Sequence, residues 1–91
     1  MSEFLPSLDF SILFIDDLLN NHFSAAERSA VKKALNLLDS NERHPSLQVH
    51  KLQGDEEGSW TCYVTRDIRI TFERLDGGDK RLLTLTRHYD A

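Results

Sequence analysis

The feature that most constrains how this chain folds is a two-residue alternation running through its second half. Trp60, Cys62 and Val64 fall on one face of an extended segment, and Thr61, Tyr63 and Thr65 on the other. Ile68, Ile70 and Phe72 alternate with Arg69, Thr71 and Glu73. Leu83 and Leu85 alternate with Thr84, Thr86 and His88. Since successive side chains on a strand point to opposite sides, the pattern predicts strands over 59–65, 68–74 and 80–87 that share one apolar face. Asp76-Gly77-Gly78-Asp79 is the expected turn between the last two, because glycine takes positive φ without steric cost. An extended stretch over 47–52 precedes them.

Before Pro45 the period is that of a helix. Ser24-Ala-Ala-Glu27 is a capping box, in which the serine hydroxyl accepts from the Glu27 amide and the carboxylate reaches back. Val31, Ala34, Leu35 and Leu38 then recur at three- and four-residue steps, with Arg28, Lys32, Lys33 and Asn36 outward. Ser40-Asn41 ends this helix, and Pro45 forbids its continuation. Upstream, Ile12, Ile15, Leu18, Leu19 and His22 form a one-sided stripe, expected to face the core from a helix over 11–22. Residues 4–10 read as a first strand, which Pro6 confines to a sheet edge. Helices followed by strands indicate an α+β fold: an N-terminal helical hairpin on a small, twisted, mostly antiparallel sheet.

Ninety-one residues allow a single domain, 1–91, and no second core. The longest apolar run, Ile12-Leu13-Phe14-Ile15, falls far short of the roughly 20 residues that span a bilayer, so no membrane association is expected. Met1-Ser2-Glu3 lacks the basic region of a secretory signal, making cytoplasm the expected compartment. A single cysteine, Cys62, excludes an internal disulfide and a cysteine-built zinc site, and its place in a strand predicts a small buried hydrophobe. The four histidines match no ligand spacing, so neither a metal nor a cofactor is expected. The net charge of −4 is the wrong sign for a protein that grips nucleic acid with its whole surface. The deficit sits early: three basic and six acidic residues through Ser40, against eight and nine thereafter. A local basic cleft in the second half stays compatible with that balance.

The polar face of the predicted sheet carries Tyr63, Arg69, His88 and several threonines. One reading is a solvated sheet surface, common in antiparallel sheets, with Arg69 paired to Glu73. The other is a site, since a tyrosine, an arginine and a histidine together can stack on a base, hold a phosphate and move a proton.

Longer blocks support the second reading. The segment Arg43-His44-Pro45-Ser46-Leu47-Gln48-Val49-His50-Lys51-Leu52-Gln53-Gly54 resembles a characteristic stretch of the RelE/ParE toxin superfamily. Gly58-Ser59-Trp60 and Arg66-Asp67-Ile68-Arg69-Ile70-Thr71-Phe72 resemble its central block. Ala34-Leu35-Asn36-Leu37-Leu38 resembles the end of its second helix, and Leu82-Leu83-Thr84-Leu85-Thr86-Arg87-His88 its closing strand. The resemblance runs from about Ala34 to His88. It implies the toxin half of a bacterial type II toxin–antitoxin system, made beside an antitoxin that wraps it. Many members bind the ribosome and cut mRNA by a metal-free route: the ribose 2′-hydroxyl, deprotonated by a general base, attacks its own phosphate.

Carried over residue by residue, the resemblance places His50 at the catalytic histidine of YafQ-like members and Asp67 at their acidic position. Arg69 falls at a strand arginine shared with YoeB-like members, and His88 at a late histidine. His50 or Asp67 is then the base, His88 the acid and Arg69 the phosphate clamp. Tyr63 stands where a histidine is usual. Lys51, Tyr63, Arg87 and Tyr89 are the substrate-binding candidates, with Tyr89 in place of a terminal catalytic aromatic. Asp67 also suits a purely structural role in a turn. Three functions are compatible with these residues: a ribosome-dependent endoribonuclease, a ParE-like inhibitor of DNA gyrase, and a relative without catalytic activity. All three predict a cognate antitoxin as partner, docked at an uncovered sheet edge beside an apolar groove.

Overall fold

A computed structural model describes residues 5–53 and 58–87. The elements are β1 (Leu8–Phe10), α1 (Ile12–Asn20), α2 (Ala25–Ser40), β2 (His50–Lys51), β3 (Ser59–Tyr63), β4 (Ile68–Arg74) and β5 (Lys80–Arg87). They form a five-stranded sheet in the order β1-β5-β4-β3-β2, antiparallel except where β1 runs parallel to β5. The α+β architecture expected from the order of periods is the one observed. No helix among the described residues is long and apolar enough to cross a membrane.

The capping box forms, with both Ser24–Glu27 hydrogen bonds present, and α2 buries Val31, Ala34, Leu35 and Leu38. These meet Ile68, Ile70 and Phe72 of β4, Cys62 of β3 and Leu82 and Leu85 of β5 in one core. Burying each of the valine, leucine, isoleucine and phenylalanine side chains contributes on the order of 2 kcal/mol. Cys62 lies among them. Desolvation pushes its thiol up to about 12, which rules out a thiolate at neutral pH. The turn after β4 places Gly77 and Gly78 at φ of 85° and 94°, as the glycine pair predicts.

Three expectations are corrected. The first concerns α1. Its stripe of Ile12, Ile15 and Leu19 faces solvent, with Ile12 84% and Leu19 74% exposed, while Phe14 is buried. The cause lies at the edge of β5. The first strand is only Leu8–Phe10, so β1 covers β5 from Lys80 to Leu82 and then stops, leaving backbone groups at Leu83 and Leu85 unpaired. Polar side chains of α1 and its flanks take over. Ser11 Oγ donates to the Leu83 carbonyl at 3.2 Å, the Asp17 carboxylate accepts from the Leu85 amide at 2.9 Å, and Asn21 Nδ2 donates to the Leu85 carbonyl at 3.0 Å. An unpaired buried backbone group costs roughly 1–3 kcal/mol, as much as burying a leucine contributes. With Phe14 on the same face as these polar groups, the helix rotates that face inward.

The second correction is at 47–52. Only His50–Lys51 pairs as a strand, because Gln48 adopts a left-handed φ of 46° that breaks the extended run. Leu47 tucks into the core instead. The third is a bulge in β5. Thr71 faces Thr84 while the next residue, Phe72, faces Leu82, so Leu83 is the extra residue. Leu82 and Leu85 therefore both reach the core, and Leu83 does not.

A cluster at the other end of the sheet had no signature in the sequence. Lys80, only 5% exposed, places Nζ 3.1 Å from Glu42, which also takes a two-pronged bond from Arg74 at 2.6 and 3.1 Å. The Arg74 guanidinium lies 4.3 Å from the Trp60 ring centroid. Hydrogen bonding from Arg74, then from Lys80, holds the Glu42 carboxyl down at about 2, against an ordinary value of 4.5. A depressed carboxyl stabilises the fold above its unfolded-state pKa and loses that contribution as pH falls towards its folded one. Glu42→Gln should therefore weaken the protein above about pH 4.5 and flatten the loss of stability between 4.5 and 2. Glu42→Ala, which strands the Lys80 ammonium, should cost about 3 kcal/mol in urea unfolding at neutral pH.

Candidate functional site

The face of the sheet away from the helices is a grid whose rows follow from strand register. One row runs Asp9, Arg81, Glu73 and Ser59. The next runs Thr84, Thr71, Thr61 and His50, and the third Thr86, Arg69 and Tyr63. Facing residues within a row sit about 5 Å apart and successive rows about 7 Å apart, so the second and third rows form one patch. Its floor is low. Thr61 is short and 3% exposed, its hydroxyl turned down to donate to the Ile70 carbonyl at 3.1 Å. Longer side chains stand around it.

His50, Tyr63 and Arg69 meet on this patch. The His50 and Tyr63 rings are edge to face, with centroids 6.3 Å apart at 81°. The Arg69 guanidinium carbon lies 4.5 Å from the Tyr63 ring centroid. The alternative of an Arg69–Glu73 pair is not realised, because Glu73 turns to Arg81 at 3.4 Å, which also bonds Asp9 at 3.1 Å. The Arg69 side chain makes no hydrogen bond or ion pair with any described residue, and its Nε is buried without an acceptor. A buried unpartnered donor costs roughly 1–3 kcal/mol, so its retention calls for an explanation.

His50 is oriented by the backbone that breaks its strand. Left-handed Gln48 brings its carbonyl to 2.7 Å from His50 Nδ1. A carbonyl only accepts, so the proton sits on Nδ1, and Nε2 of the neutral ring is left as an acceptor. Nε2 is then the nitrogen on which this ring can take up a proton.

The remaining candidates divide. Asp67 is exposed in the turn between β3 and β4, where its amide and that of Ile68 donate to Thr65 Oγ1, each at 3.1 Å. Its carboxylate is uncommitted among the described residues. Lys51 pairs with Trp60 and so points to the opposite face, its ammonium 5.9 Å from the indole centroid. Arg87 is also on the helix side of the sheet, bound to Glu27 through both prongs at 2.6 and 2.8 Å. Hydrogen bonding from Arg87 brings the Glu27 carboxyl down to about 2. The structure thus separates Lys51 and Arg87 from the patch, because an odd–even count in each strand decides the face. His88 and Tyr89 lie outside the described residues. The Gln48 kink that orients His50, and the depth at which Thr61 sits, carry no compositional signal in the sequence.

No protein-family model matches the chain, and no curated protein does. Solved structures do. YafQ from E. coli superposes with a TM-score of 0.70 at 19% identity, covering 88% of this chain and 90% of that one. In the E. coli DinJ–YafQ toxin–antitoxin complex the values are 0.69, 20%, 89% and 90%. A YoeB/ParE toxin from Agrobacterium tumefaciens gives 0.66 at 22% identity, covering 91% and 99%. At these identities the likeness is one of fold: two helices on a five-stranded, mostly antiparallel sheet, the RelE-like toxin architecture.

The His50 geometry is checked by imidazole nitrogen NMR. The neutral ring should carry its proton on Nδ1 and show an unprotonated Nε2. A proton on Nε2 would contradict the Gln48 contact.

Proposed function

We propose that this chain is the toxin of a type II toxin–antitoxin pair and an endoribonuclease that cuts mRNA on the ribosome. The observation that supports the reading is Arg69, which has no carboxylate partner among the described residues and lies against the Tyr63 ring, a ring that also meets His50. In the proposed reaction His50 Nε2 takes the proton of a ribose 2′-hydroxyl, and the 2′-oxygen attacks the adjacent phosphorus. The terminal N–H groups of Arg69 bond the non-bridging oxygens, where negative charge grows in the transition state. The P–O5′ bond breaks as the leaving oxygen gains a proton from His88, which the family resemblance nominates as the acid. The products are a 2′,3′-cyclic phosphate and a 5′-hydroxyl. Asp67, uncommitted two residues from Arg69, is the second candidate for the base.

The antitoxin reading has support of a different kind. Exposed Leu19 of α1 borders a groove of about 480 Å³ between the helices, lined also by Leu5, Leu18, Val31 and Leu35. Arg28 and Lys32, one helical turn apart, stand on its rim. An amphipathic antitoxin segment with acidic flanks fits that surface by shape and by charge. Leu19→Asp should abolish co-purification with the short protein encoded by an adjoining reading frame, while leaving thermal stability nearly unchanged.

Growth arrest with cleavage of mRNA in the ribosomal A site, after induction in cells, tests the catalytic reading. Arg69→Ala should lower cleavage about 100- to 1,000-fold, and His50→Ala about 100-fold or more. Arrest with intact messages would defeat it. The net charge of −4 favours a second reading, gyrase inhibition without catalysis. Loss of supercoiling activity with no RNA cut, using the purified protein, would establish that one instead.

A further inference from the structure

Five basic side chains stand on β4 and β5, and four of them are held by carboxylates. Arg74 and Lys80 bind Glu42, Arg81 binds Asp9 and Glu73, and Arg87 binds Glu27. Arg69 is the exception among the described residues, and what lies against it is the Tyr63 ring. Tyr63 is itself anchored. Its amide donates to the carbonyl of buried Leu47 at 2.8 Å, and its ring is braced by the edge-on imidazole of His50.

We infer that Tyr63 is the positioning residue of this patch, its aromatic face holding Arg69 where the other cations of β4 and β5 have a carboxylate. The inference rests on the nucleolytic reading for its purpose, though not for its geometry. A carboxylate would fix the guanidinium equally well, but by occupying the in-plane N–H groups that grip a phosphate. An aromatic ring attracts the cation through the perpendicular face and leaves those groups free. Burial of Nε locks the inner edge of the guanidinium against the sheet, while the terminal nitrogens bond none of the described residues. The same ring sets the separation between Arg69 and His50, so one side chain places both the anion clamp and the base. Tyr63 acts here through its face; the hydroxyl is not required.

Comparison of Tyr63→Phe with Tyr63→Leu separates this role from simple packing and from proton transfer. Phenylalanine keeps the aromatic face and loses the hydroxyl. Leucine keeps apolar bulk and loses the face. Two readouts are needed: affinity for a short single-stranded RNA carrying 2′-O-methyl groups throughout, which cannot react, and the Arg69 Nε–Hε resonance, assigned by its disappearance in Arg69→Lys. Wild type and Tyr63→Phe should bind the RNA alike, with the Arg69 resonance shifted upfield by the ring. Tyr63→Leu should lose that shift and bind roughly three- to thirtyfold more weakly. Leucine matching phenylalanine in both readouts would overturn the inference, as would phenylalanine failing as badly as leucine. If the wild-type chain binds no RNA while the resonance follows the predicted pattern, the nucleolytic reading falls and the Tyr63–Arg69 clamp stands.

Discussion

The polar patch is held in place by what is buried beneath it. In β4 the side chains of Ile68, Ile70 and Phe72 are fully buried under the helices, and the two-residue period of a strand leaves Arg69 and Thr71 no choice of side. Each buried side chain contributes on the order of 2 kcal/mol, so a one-residue slip that turned Arg69 inward would also expose the centre of the core. The bulge at Leu83 serves the same end. It lets β5 keep Leu82 and Leu85 in the core while Thr84 and Thr86 still face Thr71 and Arg69. The chemistry-bearing face is the reverse side of the hydrophobic core, and the two cannot be varied independently.

Charge is partitioned along the same boundary. Arg74 and Lys80 are taken up by Glu42, and Arg87 by Glu27, all on or beside the helix side of the sheet. On the outer face Asp9 and Glu73 converge on Arg81. Among the described residues Arg69 has no carboxylate partner and lies against a tyrosine instead. An overall charge of −4 is compatible with a local cationic spot, since three of the four excess negative charges fall in the first half of the chain. The recognition this favours is short-range and geometric, with little long-range steering of a polyanion.

Much of this was legible from residue order. The capping box at Ser24–Glu27, the buried stripe of α2, the Gly77-Gly78 turn and the alternation in β3 and β4 follow from local rules that tertiary structure did not override. Helix α1 defeated the same rules. Its apolar stripe was read as core, yet the backbone groups of β5 needed partners that only Ser11, Asp17 and Asn21 could supply. That requirement is set by where β1 ends, a fact of three-dimensional pairing. Within the site, His50, Tyr63 and Arg69 come together, whereas Lys51 and Arg87 fall on the far face. Family resemblance aligned those two by position, but the parity of each strand decides which way they point. The Gln48 kink that sets the histidine tautomer is invisible to periodicity altogether.

The most direct measurement of the central claim is the chemistry of the cut ends. Purified ribosomes, programmed with a defined message and treated with the purified protein, yield fragments whose termini report which oxygen attacked. Transesterification through the 2′-hydroxyl leaves a 2′,3′-cyclic phosphate upstream and a 5′-hydroxyl downstream. Fragments bearing a 5′-phosphate, or a message left whole, would contradict the account.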